Sequence, residues 1–341
     1  MRKIFFLCAL CASVAMYAQT PAIGDQFDID ESGTGGHIIH YEVTSVGPNE
    51  VKVAAGGHTI AAGVKLEIPA EVTYNELTWA VTELEYEAFY ENNALSEVLL
   101  PNTITTISVR AFANSSMTKI TVPASVTNIN DGALAGCSNL TEVIFEDASN
   151  ISVGWNSFNY SKILTDQTNN GVHRIGDLAV TWQSPDNAWP EILEIPEGIV
   201  NIAAGFRYNS NVTIFSTLKK IVLPSTLKRI HDNAFASDDE QKMTNLETVV
   251  VKATAVPFVN DAEHLTLPTD QTLTLVVPCG KKAIYEASDM WNTPYDAIEE
   301  DCTTALDETA TDASAVKRIV NGQMVIEREG KVFNALGSEV K

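Results

Sequence analysis

Apolar and polar residues repeat along this chain with a period of 22 to 23 residues, counted from Pro101 to Pro123 and on to Glu146. Each repeat opens with alternating apolar residues, such as Val98 and Leu100, and this period of two predicts a short β-strand with one face turned inward. We expect the proline to end the strand, because it has no N–H group to donate to a neighbouring strand.

The repeat continues beyond each proline. Apolar residues follow three and six positions after Pro101, at Ile104 and Ile107, and the pair Ala111-Phe112 follows ten and eleven positions after it. We expect the aromatic ring to fill the interior of one turn of chain. A single turn cannot bury enough apolar surface to be stable, so successive turns have to stack and share that interior. Further copies open at Met117, Leu140, Ile192, Leu218 and Leu246, and equivalent pairs lie at Ala133-Leu134, Gly205-Phe206 and Ala234-Phe235.

Written out, the repeat is Leu-x-x-Ile-x-Leu-Pro-x-x-Val-x-x-Ile-x-x-x-Ala-Phe, which resembles the BspA-type leucine-rich repeat in surface proteins of Bacteroides, Prevotella, Treponema and some protists. The resemblance covers roughly residues 64 to 272, with gaps. It implies a β-rich solenoid, a right-handed coil with one short strand per repeat. The commoner leucine-rich repeats have asparagine where this chain has proline, so their binding properties are not transferred to it.

Segments outside the repeat complete the predicted domain organisation. Turn residues at Gly47-Pro48, Asn75-Glu76 and Gly176-Asp177 lie between strand-like arms and predict three β-hairpins, the first of which would cap the exposed first coil. The predicted domains are a signal peptide at 1–18, an N-terminal β cap at 19–63, a leucine-rich-repeat solenoid at 64–302 with an insertion near 161–191 and a C-terminal cap at 273–302, a linker at 303–315 and a C-terminal tail at 316–341.

The first 18 residues predict a secretory signal peptide, because Arg2 and Lys3 precede an uncharged run from Ile4 to Ala15 and a small-residue exit at Ala18. The run is shorter than the ~20 residues that span a bilayer, and no later segment is long and apolar enough. We therefore expect a protein without a transmembrane segment that is secreted or lies on the cell surface, at the exterior of the outer membrane.

The tail at 316–341 resembles the C-terminal domains that Bacteroidetes append to exported cargo, and it is similar to type IX secretion sorting tails. The residues that carry this resemblance include Ile319, Gly322, Val325 and Phe333. The resemblance implies that the tail is removed and that the protein stays at the surface or is released. The alternative interpretation is a plain accessory β-hairpin.

The chain is strongly acidic, with 44 acidic and 22 basic residues and a net charge of −22. Loss of Arg2 and Lys3 with the signal peptide leaves 20 basic residues and a net charge of −24. Such a field repels phosphate backbones, so nucleic acid is not expected as a partner.

Three cysteines follow the signal peptide, at Cys137, Cys279 and Cys302. Three cysteines are too few for the disulfide framework of a small secreted domain. A bridge between Cys279 and Cys302 is open, because sequence does not report the Cα separation that a disulfide requires. Cys137 lies inside a repeat and is interpreted as a small buried apolar residue.

No catalytic set is recognisable in the sequence. The six histidines are scattered, and neither a His-Glu-x-x-His motif nor a Cys-His metal spacing occurs. Nucleotide-binding fingerprints and a Gly-x-Ser-x-Gly elbow are missing as well. We therefore expect a protein that is not an enzyme and needs no cofactor.

The outward side of the repeat strands is the predicted binding surface, since the resemblance implies adhesin-like contact with an extracellular protein. Equivalent side chains should stack about 4.8 Å apart in columns, although exposed strands favour Val, Ile and Thr without any partner. Alternatives are a glycan-binding accessory protein that uses tryptophans around the insertion, and a structural envelope component without a ligand. The outward residues are Leu99, Thr121, Ile144, Val222 and Val250, preceded by Glu97, Lys119, Glu142 and Lys220, and the tryptophans are Trp155, Trp182 and Trp189.

Overall fold

The structure, a computed structural model, describes residues 20–30, 37–167, 171–183, 189–204, 206, 217–231, 234–235, 243–259, 272–303, 315–320, 323–328 and 331–334. The predicted signal peptide and nearly all of the predicted linker lie outside the described residues. The chain divides into two units, one comprising Met1–Asp147 with Ile151–Asp166 and the other Ala148–Asn150 with Gln167–Lys341. The boundary falls within the predicted insertion.

The first unit contains two sheets and one short helix. One sheet has the order β1-β2-β3-β6-β8-β10-β12, with β5 paired to β6, and the other has the order β11-β9-β7-β4. The elements are β1 (Gln26–Asp30), β2 (Ile38–Val46), β3 (Asn49–Val53), β4 (Val64–Glu67), β5 (Glu71–Tyr74), β6 (Leu77–Leu84), β7 (Leu95–Leu99), β8 (Thr106–Ile107), β9 (Lys119–Val122), β10 (Asn128–Ile129), β11 (Glu142–Phe145), β12 (Ser152–Val153) and α1 (Lys162–Thr165).

The second unit repeats this plan in sheets of order β13-β14-β16-β18-β20 and β15-β17-β19-β21-β22, and adds the small sheet β23-β24-β25. Its elements are β13 (Gly171–Ile175), β14 (Leu178–Gln183), β15 (Ile192–Glu194), β16 (Asn201–Ile202), β17 (Lys220–Leu223), β18 (Arg229–Ile230), β19 (Thr248–Val251), β20 (Phe258–Val259), β21 (Thr274–Pro278), α2 (Lys282–Glu286), α3 (Asp289–Asn292), β22 (Ala297–Asp301), β23 (Ala315–Val320), β24 (Gln323–Arg328) and β25 (Lys331–Asn334).

Each repeat makes one coil with two strands, so the predicted solenoid is confirmed. The strand before the proline pairs in parallel with its equivalent in the next coil, and Val98 lies opposite Ile120. The apolar residue six positions after the proline lies in a second, two-residue strand, and Ile107 lies opposite Ile129. The copies therefore stack in register, one repeat per coil.

A third row of backbone hydrogen bonds joins the turns that carry the Ala-Phe pairs. The Phe89 N–H donates to the Ala111 carbonyl at 2.6 Å, and the Phe112 N–H donates to the Ala133 carbonyl at 2.8 Å. Positive φ values recur four residues apart in each turn, as at Gly132 and Gly136. A Cβ on Gly136 would lie 2.0 Å from the Asn114 side-chain oxygen, so a larger residue there would displace that side chain, and the positive φ of Gly136 also favours glycine.

Large side chains fill the interior of the coils, as predicted. Phe89 and Phe112 are buried and stack with 5.3 Å between ring centroids. In the second unit Phe206 and Phe235 are buried and lie 5.6 Å apart. The rings of adjacent coils therefore touch, and the stability of each coil depends on its neighbours.

The three predicted hairpins are present. Strands β2 and β3 pair at Val46 and Asn49. Strand β3 also pairs in parallel with β6, so this hairpin lies against the first coil. Strands β5 and β6 meet at Tyr74 and Leu77, and β13 and β14 meet at Ile175 and Leu178.

The repeat strands form two ladders rather than one. Strand β11 ends the first ladder and β15 begins the second, because the insertion between them contains α1 and the β13–β14 hairpin instead of a repeat. Strand β14 pairs in parallel with β16 and so takes the place of a repeat strand in its sheet.

At the end of the second ladder, helices α2 and α3 bury the rings of Tyr285 and Trp291. The Tyr285 hydroxyl donates to the Ala253 carbonyl and the Trp291 Nε1–H donates to the Pro257 carbonyl, both at 2.8 Å. These polar contacts fix the helices against the last repeat, where an open solenoid end would expose apolar side chains.

We predict that Phe112→Ala lowers the free energy of unfolding of the first unit by about 3–5 kcal/mol, because it removes a ring packed between two coils. Thr121→Ala, on the outward side of the same unit, should change it by less than about 0.5 kcal/mol. Guanidinium denaturation of both variants measures the difference. Equal losses of stability would contradict the shared interior.

Candidate interaction surface

The outward side of the first ladder carries two columns of side chains. Leu99, Thr121 and Ile144 lie opposite one another in successive strands, and Glu67 continues their column at the N-terminal end. Leu99 and Thr121 are half-buried, and Ile144 is 38% exposed. The structure therefore brings these three predicted residues together in one column, which we call the aliphatic column.

The column beside it alternates in charge. It runs from Lys65 through Glu97 and Lys119 to Glu142. The Lys119 Nζ lies 3.2 Å from the Glu142 carboxylate. The neighbouring Glu67 carboxylate, 2.8 Å away, raises the pKa of Lys65. Exposed pairs of this kind contribute little to stability, because water screens them, so the column sets the local charge of the face. The two lysines and two glutamates of this column cancel in charge, although the whole chain is acidic.

The second ladder presents a different column on its outward side. Val222, Val250 and Val276 lie opposite one another, between Glu194 at one end and Glu299 at the other. Lys220 lies two residues before Val222 on β17, opposite Thr248 on β19. The nine predicted outward residues thus form columns on two separate ladders, because the insertion interrupts the series of repeats.

Val222 is also less accessible than predicted, with only 8% of its surface exposed. The Lys252 Nζ reaches back from the end of β19 to the Glu194 carboxylate on β15, 3.1 Å away. Strand β17 lies between those two strands, so the Lys252 side chain has to cross β17 beside Val222. Long lysine stems commonly cover apolar surface in this way.

The three tryptophans do not form an exposed aromatic platform. Trp189 is only 2% exposed and lies in the core of the second unit, where its ring stacks on Trp182 at 6.0 Å. Trp182 is half-buried against the same core, and Trp155 is 40% exposed but belongs to the first unit. The alternative interpretation, in which all three rings bind a sugar ligand, does not hold for Trp189, because that ring is buried in the core against Trp182.

A disulfide bond joins Cys279 and Cys302, with 4.5 Å between their Cα atoms. It links the ends of β21 and β22, the last two strands of the second ladder. Among the described residues, Glu300 and these two cysteines are the one close group of metal-ligating side chains, and the disulfide leaves neither sulfur as a thiolate. Cys137 is a buried free cysteine, and burial raises the pKa of its thiol.

The structure also contains a groove that sequence reasoning missed, with a volume of about 550 Å³. One wall is formed by Gly56, Gly57, His58, Ile60 and Ala62, and the other by residues 87–94 of the first repeat turn. We call it the N-terminal groove. The sequence Gly56-Gly57-His58 near the end of the predicted cap could have indicated this groove, since paired glycines often mark turns and loops.

His58 lines the N-terminal groove together with the ionisable residues Glu87, Tyr90 and Glu91. Its ring packs on Phe89, with 4.6 Å between ring centroids, and its Nδ1 accepts a hydrogen bond from the His40 N–H at 3.1 Å. Burial lowers the pKa of His58 to about 4, so the imidazole is neutral at pH 7. Since Nδ1 is an acceptor, the proton of the neutral ring lies on Nε2.

The stacked coils and their outward columns define a β-solenoid repeat protein. The family profile described as "BspA type Leucine rich repeat region" matches six copies in this chain, at residues 70–184 and 192–265. This is more than half of the chain, which therefore belongs to the BspA-type leucine-rich-repeat family.

Solved structures similar to this chain come from bacteria, and no curated protein matches it. The pneumococcal vaccine antigen PcpA is 14% identical, with 83% of this chain and 100% of that one covered and a TM-score of 0.32. A leucine-rich cell surface protein from Faecalibacterium prausnitzii A2-165 is 14% identical, with coverages of 80% and 96% and a TM-score of 0.25. A leucine-rich repeat protein from Bacteroides ovatus ATCC 8483 is 15% identical, with coverages of 77% and 75% and a TM-score of 0.23.

Within the part of the chain that the structure describes, no helix combines the length and the apolar character that crossing a membrane requires.

We predict that the stability contributed by the neutral His58 is complete above pH 6.5 and is lost as the pH falls towards 4. In that window the unfolded chain, in which histidine has a pKa near 6.5, binds a proton that the folded chain does not, so unfolding becomes more favourable. Urea denaturation from pH 7.5 to 4 measures this, with His58→Gln as the non-titrating control. Parallel pH profiles for the two proteins would contradict the prediction.

Proposed function

We propose that this chain is an exported protein that acts outside the cell or at its surface, where the outward strand faces bind an extracellular protein. Membership of the BspA-type family supports a binding role, and the related structure from Faecalibacterium prausnitzii is described as a cell surface protein. The predicted signal peptide at 1–18 and the predicted sorting-like tail at 316–341 support export.

The aliphatic column is the observation that carries the proposal. Leu99, Thr121 and Ile144 sit on adjacent parallel strands and are held by backbone hydrogen bonds, so their positions are fixed before any partner arrives. A preorganised face loses little conformational entropy on binding. Ile144 remains 38% exposed at the edge of the column, where a partner's apolar side chain would remove it from water.

The paired charges beside the aliphatic column suit a protein partner. Glu97 and Lys119 lie opposite each other in register, and Lys119 already pairs with Glu142. A rim of balanced charge around an apolar centre is typical of protein–protein interfaces. The strand face contains aliphatic, threonine and paired charged side chains, so its proposed role is binding and not catalysis.

We expect Ile144→Glu to weaken binding to an extracellular partner by at least about tenfold, since it places an unpaired charge in an apolar contact. Leu77→Glu is the matched control, because Leu77 is 43% exposed at the tip of the β5–β6 hairpin and lies off the strand face. Surface plasmon resonance against an array of extracellular matrix proteins measures both. A partner that binds both variants alike would contradict the strand face, and no binding at all would favour a structural envelope role.

We expect the exported protein to begin at Gln19, because the predicted cleavage follows Ala18. Mass spectrometry of protein recovered from the medium and from the washed cell surface tests this. An Arg2→Glu, Lys3→Glu double variant should accumulate inside the cell, whereas Lys228→Glu, at an exposed lysine, should be exported like the natural chain. Recovery of the uncleaved chain from the cell interior alone would contradict export.

A further inference from the structure

The turns that carry the Ala-Phe pairs form a third side of the first unit, separate from its two sheets. Each turn donates N–H groups to the carbonyl groups of the next turn, as Glu87 does to Val109 and Arg110 does to Asp131. Equivalent residues of successive turns therefore lie side by side in columns. One column consists of Tyr86, Val109, Asp131 and Trp155, and a second consists of Glu91, Asn114, Gly136 and Tyr160.

Aromatic side chains are exposed on this third side. Tyr86 is 50% exposed, Trp155 is 40% exposed and Tyr160 is 81% exposed. The outward residues of the first ladder, by contrast, are aliphatic, charged or threonine, so these two sides of the first unit differ in chemistry. We use the name turn face for the set Tyr86, Tyr90, Arg110, Asn114, Trp155 and Tyr160.

Packing does not explain why residue 160 is a tyrosine. Tyr160 has a φ of 58°, a left-handed conformation that bulky side chains disfavour. The equivalent positions of the two preceding turns hold Asn114 and Gly136, and these residue types adopt positive φ at lower cost. Because Tyr160 is largely exposed, burial does not offset its strain. A strained residue that contributes little packing is typical of a functional site.

At the other end of the turn face, polar contacts hold an aromatic ring in place. The Arg110 guanidinium lies over the Tyr90 ring, 4.5 Å from its centroid. The Asn114 Nδ2 donates to the Tyr90 hydroxyl at 3.3 Å, and Arg110 also pairs with Glu87 at 2.8 Å. Groups that are already fixed lose little conformational entropy when a ligand binds.

The middle of the turn face is low and polar, because the third turn has glycine at the positions that would otherwise project. A Cβ on Gly136 would lie 2.0 Å from the Asn114 Oδ1, and a Cβ on Gly132 would lie 3.4 Å from the Arg110 Cγ. The side chains of Arg110 and Asn114 therefore lie over the third turn. They offer amide and guanidinium groups between the exposed rings at the two ends.

This combination of groups matches the chemistry of a sugar chain. The C–H faces of sugar rings pack on aromatic rings, which are apolar and flat, and sugar hydroxyls exchange hydrogen bonds with amide and guanidinium groups. Charge selects the kind of glycan. Arg110 is the basic residue of the turn face and is already paired with Glu87, and the net charge of −22 repels acidic polysaccharides.

We propose that the turn face binds a neutral oligosaccharide that lies along the stack of coils. Sugar rings pack on Tyr160 and Trp155 at one end and on Tyr86 at the other. Tyr86 and Trp155 are three coils apart, a distance of about 14 Å, and over this length Arg110 and Asn114 hydrogen-bond the sugar hydroxyls. Of the three tryptophans that the sequence singled out, only Trp155 belongs to this site.

The test titrates the full chain with cellohexaose, mannohexaose and chitohexaose in a calorimeter. We expect at least one of these neutral sugars to bind with a Kd below about 1 mM. The same sugar oxidised at C6 to its uronic acid form is the matched ligand control. It should bind at least about fivefold more weakly, because the acidic chain repels it.

Variants of one residue locate the site. Tyr160→Asn removes the ring and introduces the residue type of the equivalent Asn114, so it should weaken sugar binding by about two- to tenfold without loss of stability in urea denaturation. Tyr160→Phe keeps the ring and should bind like the natural chain. Phe258→Ala is the matched control, because Phe258 is 53% exposed on β20 of the second unit, and it should leave sugar binding unchanged.

The proposal is overturned if none of the three sugars binds at about 10 mM, or if Tyr160→Asn and Phe258→Ala weaken binding equally. It is also overturned if Tyr160→Asn weakens binding to an extracellular matrix protein while no sugar binds, because the turn face would then be part of a protein interface. Ile144→Glu should leave sugar binding unchanged, so this test is independent of the strand-face test.

Discussion

Contact between successive coils is the constraint on which the rest of this structure depends. A coil of 22 or 23 residues has no interior of its own, and it gains one only when its large side chain meets the equivalent side chain of the next coil, as Phe89 meets Phe112. Backbone hydrogen bonds on three sides hold those side chains in register. Because this contact sets the register of the coils, it also aligns the outward side chains in columns. The surface that would face a partner therefore depends on the packing of the interior.

Because every coil needs a neighbour, the ends of each ladder require another solution. The first unit uses the β2–β3 hairpin at its start, and the second uses α2, α3 and the strand β22, joined to β21 by the disulfide. These caps cover side chains and most of the strand edges. At the first repeat turn the cap is a side chain, because the His58 ring packs on Phe89 with 4.6 Å between ring centroids.

The period of the sequence was sufficient to predict the strand before each proline and the buried phenylalanines, because burial follows the local pattern of apolar residues. Turn residues outside the repeat predicted the hairpins. It could not predict the third row of hydrogen bonds, since Glu87, Arg110 and Tyr160 adopt positive φ although side chains usually disfavour it. Contacts between distant residues were also missed. Val222 is 8% exposed and lies on the strand that the Lys252–Glu194 ion pair spans, and Trp189 packs in the core against Trp182. Such features depend on which coils become neighbours in the fold, and the repeat pattern does not specify this.

Outward residues such as Leu99 and Ile144 alternate with the buried residues of their strands, so substitution there alters what the face binds at little cost in stability. The backbone hydrogen bonds that hold the strands in register do not depend on which outward side chains are present. Side-chain columns can therefore distinguish one partner from another while the scaffold that presents them stays the same.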